Sequence, residues 1–410
     1  MMNGIVLMVQ IGLFLVGLYQ MTISFFGWRM ERKKTKREPA KTFAVLVAAH
    51  NEEKVIGALL ENLKAMDYPK DMYDIFVICD NCTDATADIA RSHGVYAMER
   101  FDRTLRGKGF AIEWMLRELW NMPKKYDAVA MFDADNLVEP QFLREMNDDL
   151  LNGSRVIQAY LDTKNPSDSW ITASYGVTYW FCNRLWQIPR RRLNMANFLG
   201  GTGMCFESKL LKEMGWGATS LVEDLEFTMR CVKQGVYPTF NYDAKVYDEK
   251  PITFHASVRQ RLRWMQGHFD VARRYFFPLL WAGLKERSLT KIDTALYSIT
   301  VYNVLFSFVF SLILLADQLR PGEPAFLSIY DFVPATVGIL CMLAIYMQFP
   351  LALALEKVTS WKMYAALIAF PLFLLSWYPI TMHAFFTQNN KRWSHTQHTR
   401  VLRLDDVQKL

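Results

Sequence analysis

Four stretches of this chain carry almost no charge: Ile5 to Phe26, Thr294 to Ala316, Phe332 to Leu355 and Met363 to Thr387. Each can cross a hydrocarbon layer of about 30 Å as a helix, for which roughly 20 residues suffice. Lys41 to Leu289, by contrast, mixes charged and apolar residues throughout. A chain so divided is expected to set a folded domain beside a bilayer and the four runs within it. The composition, 51% hydrophobic yet 21% charged, averages these two parts. Positive charge follows the first run, at Arg29, Arg32, Lys33, Lys34, Lys36 and Arg37, whereas a cleaved leader carries it ahead. The first run therefore reads as a retained anchor whose C-terminal end faces the cytoplasm. Juxtamembrane Lys and Arg facing anionic lipid account for the net charge of +6, and no nucleic-acid partner is needed.

In the central region, Thr42 to Ala49, Ile75 to Ile78 and Ala128 to Phe132 are continuous apolar runs of strand length. Helical spacing follows the first at Val55, Leu59, Leu60 and Leu63, and the second over Thr86 to Ala90. Strands buried on both faces and alternating with helices predict an α/β fold with a parallel sheet. Ligands bind beyond the carboxyl ends of such strands, and these runs end in His50-Asn51-Glu52-Glu53, at Asp80 and at Asp133. The six cysteines form no paired framework. Cys79-x-x-Cys82 lacks the second pair that zinc requires, and His395 and His398 sit three apart only in the distant tail. Trp170 to Asn194 is aromatic-rich and closes on Arg190-Arg191-Arg192. It fits an interfacial helix with its arginines toward headgroups, and equally an ordinary packing helix.

Asp133-Ala134-Asp135 sets two carboxylates on one side of a strand end, a pair that invites a hard divalent ion sharing substrate phosphates. A lone Asp-x-Asp is as often a solvated turn; Asp80 and the basic turn Arg106-Gly107-Lys108-Gly109 add weight to the ion site. Glu223-Asp224 lies between apolar residues, where a partly desolvated carboxylate beside another gains the proton affinity of a general base. It also suits the first turn of a helix, where acids meet the macrodipole. In Gln260-Arg261-Leu262-Arg263-Trp264, the residues Gln260, Arg263 and Trp264 share one helical face. An amide, a guanidinium and an aromatic plane make a surface for a sugar nucleotide and a sugar. The same residues would also serve a helix snorkelling at a membrane surface.

In that order, Asp80, Asp133-Ala134-Asp135, Glu223-Asp224 and Gln260-Arg261-Leu262-Arg263-Trp264 resemble the motifs of the membrane-bound family 2 inverting glycosyltransferases. The cellulose, chitin, hyaluronan and poly-N-acetylglucosamine synthases are the group most alike. The resemblance covers about Thr42 to Gly267. It implies a nucleotide-diphospho-sugar transferase (GT-A, Rossmann-like mixed sheet) domain, a UDP-sugar donor and a Mg2+ or Mn2+ cofactor. It further implies nucleotide contacts at His50, Asn51, Glu52, Asp80 and Lys108, donor binding at Asp133 and Glu223, and the metal at Asp135. Asp224 matches the base, Gly201, Thr202 and Gly203 an acceptor-side loop, and Gln260, Arg263 and Trp264 the diphosphate and acceptor helix. Asn81 departs from the Asp of many relatives, and Trp393-Ser394-His395-Thr396 faintly resembles a Trp-x-x-Thr element.

The resulting expectation is an N-terminal anchor (1–28), a basic linker (29–41) and a cytoplasmic transferase domain (42–290) with interfacial helices near 168–194 and 255–287. C-terminal membrane helices (291–390) and a polar tail (391–410) complete a multi-pass plasma-membrane enzyme. It would pass N-acetylglucosamine or glucose to a growing polysaccharide or oligosaccharide, or else one sugar to a lipid acceptor. The non-enzyme alternative is a transporter or scaffold with an inactive transferase domain. The four apolar runs show no charge network of the kind a transport path carries. Three crossings after the domain would put the C-terminus outside; Lys391, Arg392, Arg400 and Arg403 favour the inside, with Pro371 and Pro379 breaking the last run.

Overall fold

The computed structural model describes residues 2–29, 36–217, 219–322, 326–390, 398 and 400–407. It begins with the uncharged helix α1 (Met2–Ser24) and then builds one sheet. The strands are β1 (Phe43–Ala49), β2 (Tyr73–Asp80), β3 (Tyr96–Arg100), β4 (Ala128–Asp133), β5 (Leu137–Val138), β6 (Val156–Thr163), β7 (Met204–Glu207) and β8 (Thr239–Asp248). Their spatial order is β3-β2-β1-β4-β7-β6-β8-β5. β3, β2, β1 and β4 run parallel, as their unbroken apolar character predicts. β7 is antiparallel to β4 and β6, and β5 to β8, so the sheet is mixed.

Alternate residues of β1 face opposite cores. Phe43, Val45 and Val47 pack with α2 (Ile56–Lys64), α3 (Thr86–Ser92) and, beyond α4 (Lys108–Asn121), α5 (Phe142–Leu151). Ala44 and Leu46 pack with α4 itself. After β6 come α6 (Trp170–Phe181), a π-helical turn (Cys182–Gln187) and α7 (Ile188–Arg192); α8 (Ser208–Met214) and α9 (Glu223–Lys233) join the α4 side. The register puts Ala48 beside Asp133, Ala49 beside Cys79 and Asp80 beside Arg100. The polar ends of β1, β2 and β4 therefore form one row.

The long helix α10 (Phe254–Lys285) leads to α11 (Leu289–Ser298), α12 (Thr300–Leu319), α13 (Ala335–Leu355), α14 (Trp361–Ala366), α15 (Phe370–Thr387) and α16 (Leu404–Val407). Three segments are long and apolar enough to cross a membrane: Gly4–Gly27, Thr300–Leu319 and Thr336–Leu355. The fourth apolar run breaks between α14 and α15, with Pro371 in the first turn of α15 and Pro379 inside it. Its second part, α15, lies along α10, where Arg261 donates to Ser376 Oγ at 2.8 Å and Gln266 to Thr387 Oγ1 at 2.9 Å. α12 packs on α1 and α15, whereas α13 packs on α6 and the π-helical turn.

The arginines closing α7 make contacts within the protein. Arg190 is wholly buried and grips Asp293 through Nε and Nη2, both at 2.9 Å, while Tyr19 donates to the same carboxylate at 3.0 Å. Its Nη2 also meets Gln20 Oε1 at 2.9 Å, so the pair bolts α1 to α7 and α11. Arg191 donates to Phe240 O and Arg192 to Phe26 O. Contacts within the protein hold this segment in place.

Candidate active site

At the end of β1, Asn51 adopts the left-handed backbone (φ 56°) and accepts from Thr83 N–H at 2.7 Å. His50 Nδ1 lies 2.6 Å from the Asp80 carbonyl, and Glu52 is buried. The β1 and β2 loops are thereby tied together. Asp80 pairs with Arg100 at 2.6 Å, both largely buried. Burial raises the Asp80 carboxyl, against the pull of Arg100. Asn81 is also left-handed (φ 51°), a conformation asparagine tolerates, and donates to Asp80 Oδ1 at 2.9 Å. An aspartate there would set a second negative charge against Asp80. All six cysteines are free thiols; Cys79 is buried and Cys82 accepts the Asn51 N–H at 3.5 Å.

β4 delivers Asp133, whose Oδ1 accepts from Lys108 Nζ at 2.5 Å. The same ammonium reaches Gly201 O at 2.5 Å. Burial opposes the charge on Lys108, but Asp133, Glu223 and Asp224 outweigh it and raise its pKa. Asp133 N–H donates to Thr202 Oγ1 at 3.1 Å, locking the glycine-rich loop to the strand end. Within that loop Gly203 has φ 60°, and a Cβ there would come within 3.0 Å of Val246. A Cβ on Gly201 would meet Asp224 Oδ2 at 3.5 Å. Asp133, Lys108, Gly201 and Asp224 thus form a continuous line.

Glu223 and Asp224 are the first residues of α9, where their charge meets the positive end of the helix dipole. Burial, then the Glu223 carboxylate, pushes the Asp224 pKa up to about 7, against the Leu225 N–H and Lys108. Such a group exchanges a proton near neutrality. The helix α10 approaches this end closely: a Cβ on Gly267 would lie 2.9 Å from Val222 Cγ2 and 3.0 Å from its backbone nitrogen. Arg263 and Trp264 precede Gly267 by four and three residues and share its face. Farther down, Arg274 pairs with Glu226 at 2.5 Å. Gln260 Oε1 accepts from Tyr175 at 3.1 Å, and Trp264 meets Tyr175 edge-on at 6.3 Å. Arg263 is half-buried and makes no ion pair among the described residues.

Asp135 is buried; its Oδ2 accepts Glu249 N–H at 2.9 Å and its carbonyl accepts Lys164 Nζ at 2.8 Å. The residue that sequence reasoning set aside is His398. Its Nδ1 lies 3.0 Å from Glu52 Oε1 and its Nε2 3.9 Å from Asp135 Oδ2. Burial disfavours the imidazolium, but Asp135 and Glu52 raise its pKa to about 10. Burial works to raise the Asp135 carboxyl, and His398 and Lys164 bring it below its usual value. Arg400 clasps Asp168, and Val407 packs with Leu137 and Tyr247, so the tail docks on the catalytic domain and shares its side of any bilayer. Trp393-Ser394-His395-Thr396 lies outside the described residues. The sequence signal for His398 was its proximity to His395, which says nothing of a site formed with residues hundreds of positions away. Arg100 was equally silent until the register placed it beside Asp80.

A divalent ion at Asp135 and His398 would displace the imidazole proton, and the donor set, then one carboxylate and one ring nitrogen, would suit magnesium or manganese that keeps room for substrate oxygens. Among the described residues no cluster of three or more His, Cys, Asp or Glu groups encloses an ion, so further ligands would come from substrate and water.

Residues 39–267 match the family described as glycosyltransferase like family 2, more than half of the chain. A probable glycosyltransferase of Bacillus subtilis, YdaM, is 28% identical over 300 residues, 64% of this chain and just under two thirds (66%) of that protein. The β-monoglucosyldiacylglycerol synthase of a Nostoc species is 25% identical over 376 residues, covering 87% of this chain and 76% of the relative. The poly-β-1,6-N-acetyl-D-glucosamine synthase of Staphylococcus epidermidis is 22% identical over 364 residues, 84% of this chain and 81% of the relative. Among solved structures, a mannosyltransferase from Pyrobaculum calidifontis in complex with GDP-mannose and Mn2+ superposes with a TM-score of 0.58 at 16% identity. The match covers 91% of this chain and 98% of that one. That likeness establishes the shared fold.

Proposed function

This chain belongs to glycosyltransferase-like family 2, and on that premise we propose that it moves one hexosyl unit from a UDP-sugar to an acceptor presented from the bilayer. The donor sugar is glucose or N-acetylglucosamine. The observation that carries the chemistry is the line Asp133–Lys108–Gly201–Asp224, which sets a carboxylate with a pKa of about 7 beside a cation. Asp224 takes the proton of the acceptor hydroxyl, whose oxygen attacks the anomeric carbon from the face opposite the diphosphate. Lys108 and Arg263 meet the charge that grows on the departing UDP. Asp135 and His398 would hold magnesium or manganese, which when bound adds positive charge at the same diphosphate. Asp80 and His50 lie at the nucleotide end of the row, Trp264 and Tyr175 at the acceptor end.

Two acceptor classes follow from the resemblance, and the packing of the helices favours the lipid. Ile339, Leu340, Met342, Leu343, Ile345 and Met347 of α13 are all exposed, while Tyr346, Phe349 and Leu353 pack toward α6. A helix so bare, packed on α6 and away from α12, supports a surface open to bilayer lipids. The polymer reading keeps one support, the Gln-x-x-Arg-Trp face on α10. In this reading the enzyme is a multi-pass protein of the plasma membrane: α1, α12 and α13 cross, and α15 stays at the cytoplasmic surface. Incubating the full chain in vesicles with one radiolabelled UDP-sugar tests the acceptor. A single lipid-extractable product is expected, and a ladder of rising length would overturn the lipid reading in favour of the polymer.

A further inference from the structure

The guanidinium of Arg261 is wholly buried where α10 meets α15, with Nε and Nη2 unpartnered. Nη1 is held by Ser376 Oγ at 2.8 Å and by Phe373 O at 3.5 Å. The rings of Phe373 and Trp377 stand 4.4 and 4.9 Å from its central carbon. Nε and Nη2 form the side-on edge that matches two oxygens of an anion at once. The molecule shows that use elsewhere: Arg144 grips Asp67 and Arg190 grips Asp293 through the same two atoms. Among the described residues Arg261 has an aligned edge and no acid to fill it, and a buried cation without a counter-charge is strongly disfavoured.

What could fill it is set by the approach. Phe254, whose ring is 5.9 Å from the guanidinium, is 45% exposed and stacks on exposed Trp170. On α15 the neighbours Leu372 and Leu375 are exposed as well. Access to the edge would require Phe254, the exposed ring beside the guanidinium, to turn aside. A free anion would have to leave water and cross an apolar surface; an anion attached to acyl chains would arrive along it. We infer that the Arg261 edge binds the phosphate of an anionic membrane lipid, with Phe254 and Trp170 flanking its chains. The inference rests on the proposed membrane placement of this face. Lipid bound there would brace α10 through Ser376 and α15, one residue from Gln260 and three from Trp264.

The test uses the full chain in phosphatidylcholine nanodiscs containing phosphatidylglycerol, with native mass spectrometry reading the lipid retained. The wild type is expected to keep one phosphatidylglycerol in preference to phosphatidylcholine. Arg261→Met should weaken that retention about tenfold or more, the scale of one charge-assisted pair. Arg261→Lys keeps the charge without the edge and should fall between; it serves if the methionine variant fails to fold. Equal retention by wild type and the folded variants, or no preference for phosphatidylglycerol, overturns the site. Displacement of the lipid by millimolar inorganic phosphate would mark a free-anion site and overturn the lipid assignment. Incorporation into the discs and UDP-sugar turnover in pure phosphatidylcholine report on the proposed function separately.

Discussion

The two ends of the site are assembled in different ways. On the parallel half of the sheet, His50, Asn51, Asp80 and Asp133 follow directly from where β1, β2 and β4 end, and neighbouring loops tie them together. Asp224, Trp264 and His398 instead come into place through contacts between segments far apart in the chain, such as Gly267 on Val222 and His398 on Glu52. Under the proposed function the nucleotide end is thus a local construction and the acceptor and metal end a long-range one. Damage to distant contacts should therefore harm the second far more than the first.

The largest effect is expected at the bolt that joins α1 to α7 and α11. Asp293→Ala would leave Arg190 charged and buried without its partner, a loss of about 3–5 kcal/mol in stability, read by denaturant unfolding in detergent. Next comes Gly267→Val, which forces α10 away from Val222. It should cost about 1–3 kcal/mol as overpacking and depress turnover, while UDP affinity, to which the β1 and β2 ends also contribute, falls less than turnover does in calorimetry. His398→Ala removes the tail from Asp135 and should weaken Mn2+-dependent UDP binding by about tenfold, the lower range for lost metal support. The smallest change is Asn81→Asp, which exchanges a donor to Asp80 for a like charge. A drop of about fivefold in UDP affinity is expected, with turnover at saturating donor unchanged. If Gly267→Val and Asn81→Asp damage the same step, the division between the two ends fails.

The same division governs how much could be read from the residues alone. Apolar runs ending in Asp80 and Asp133 announce a parallel sheet and its carboxyl edge, because strand periodicity and loop position are local properties. The helical spacing of Gln260, Arg263 and Trp264 is local too. What stayed hidden depends on packing between remote segments. Nothing near Arg190 says that Asp293 lies waiting for it, so the buried anchor at Arg190 is indistinguishable in the sequence from the partly exposed Arg191 and Arg192 beside it. Met363 to Thr387 has the length of a membrane span, yet Arg261 and Gln266 hold its second part against α10. His398 looks like a residue of a polar tail until the chain folds back upon Glu52 and Asp135.

The central claim is that Asp224 is the base in sugar transfer, and its pH profile tests that most directly. Asp224 is raised to about 7, so it is protonated and idle below that pH and ionised and active above it. kcat/KM for a UDP-sugar should therefore climb with rising pH through about 7 and level off. Asp224→Asn should lose about 10²–10⁴-fold in kcat and abolish that step, with UDP affinity near the wild-type value. A variant that turns over at the wild-type rate, or that keeps the same inflection, would contradict the account.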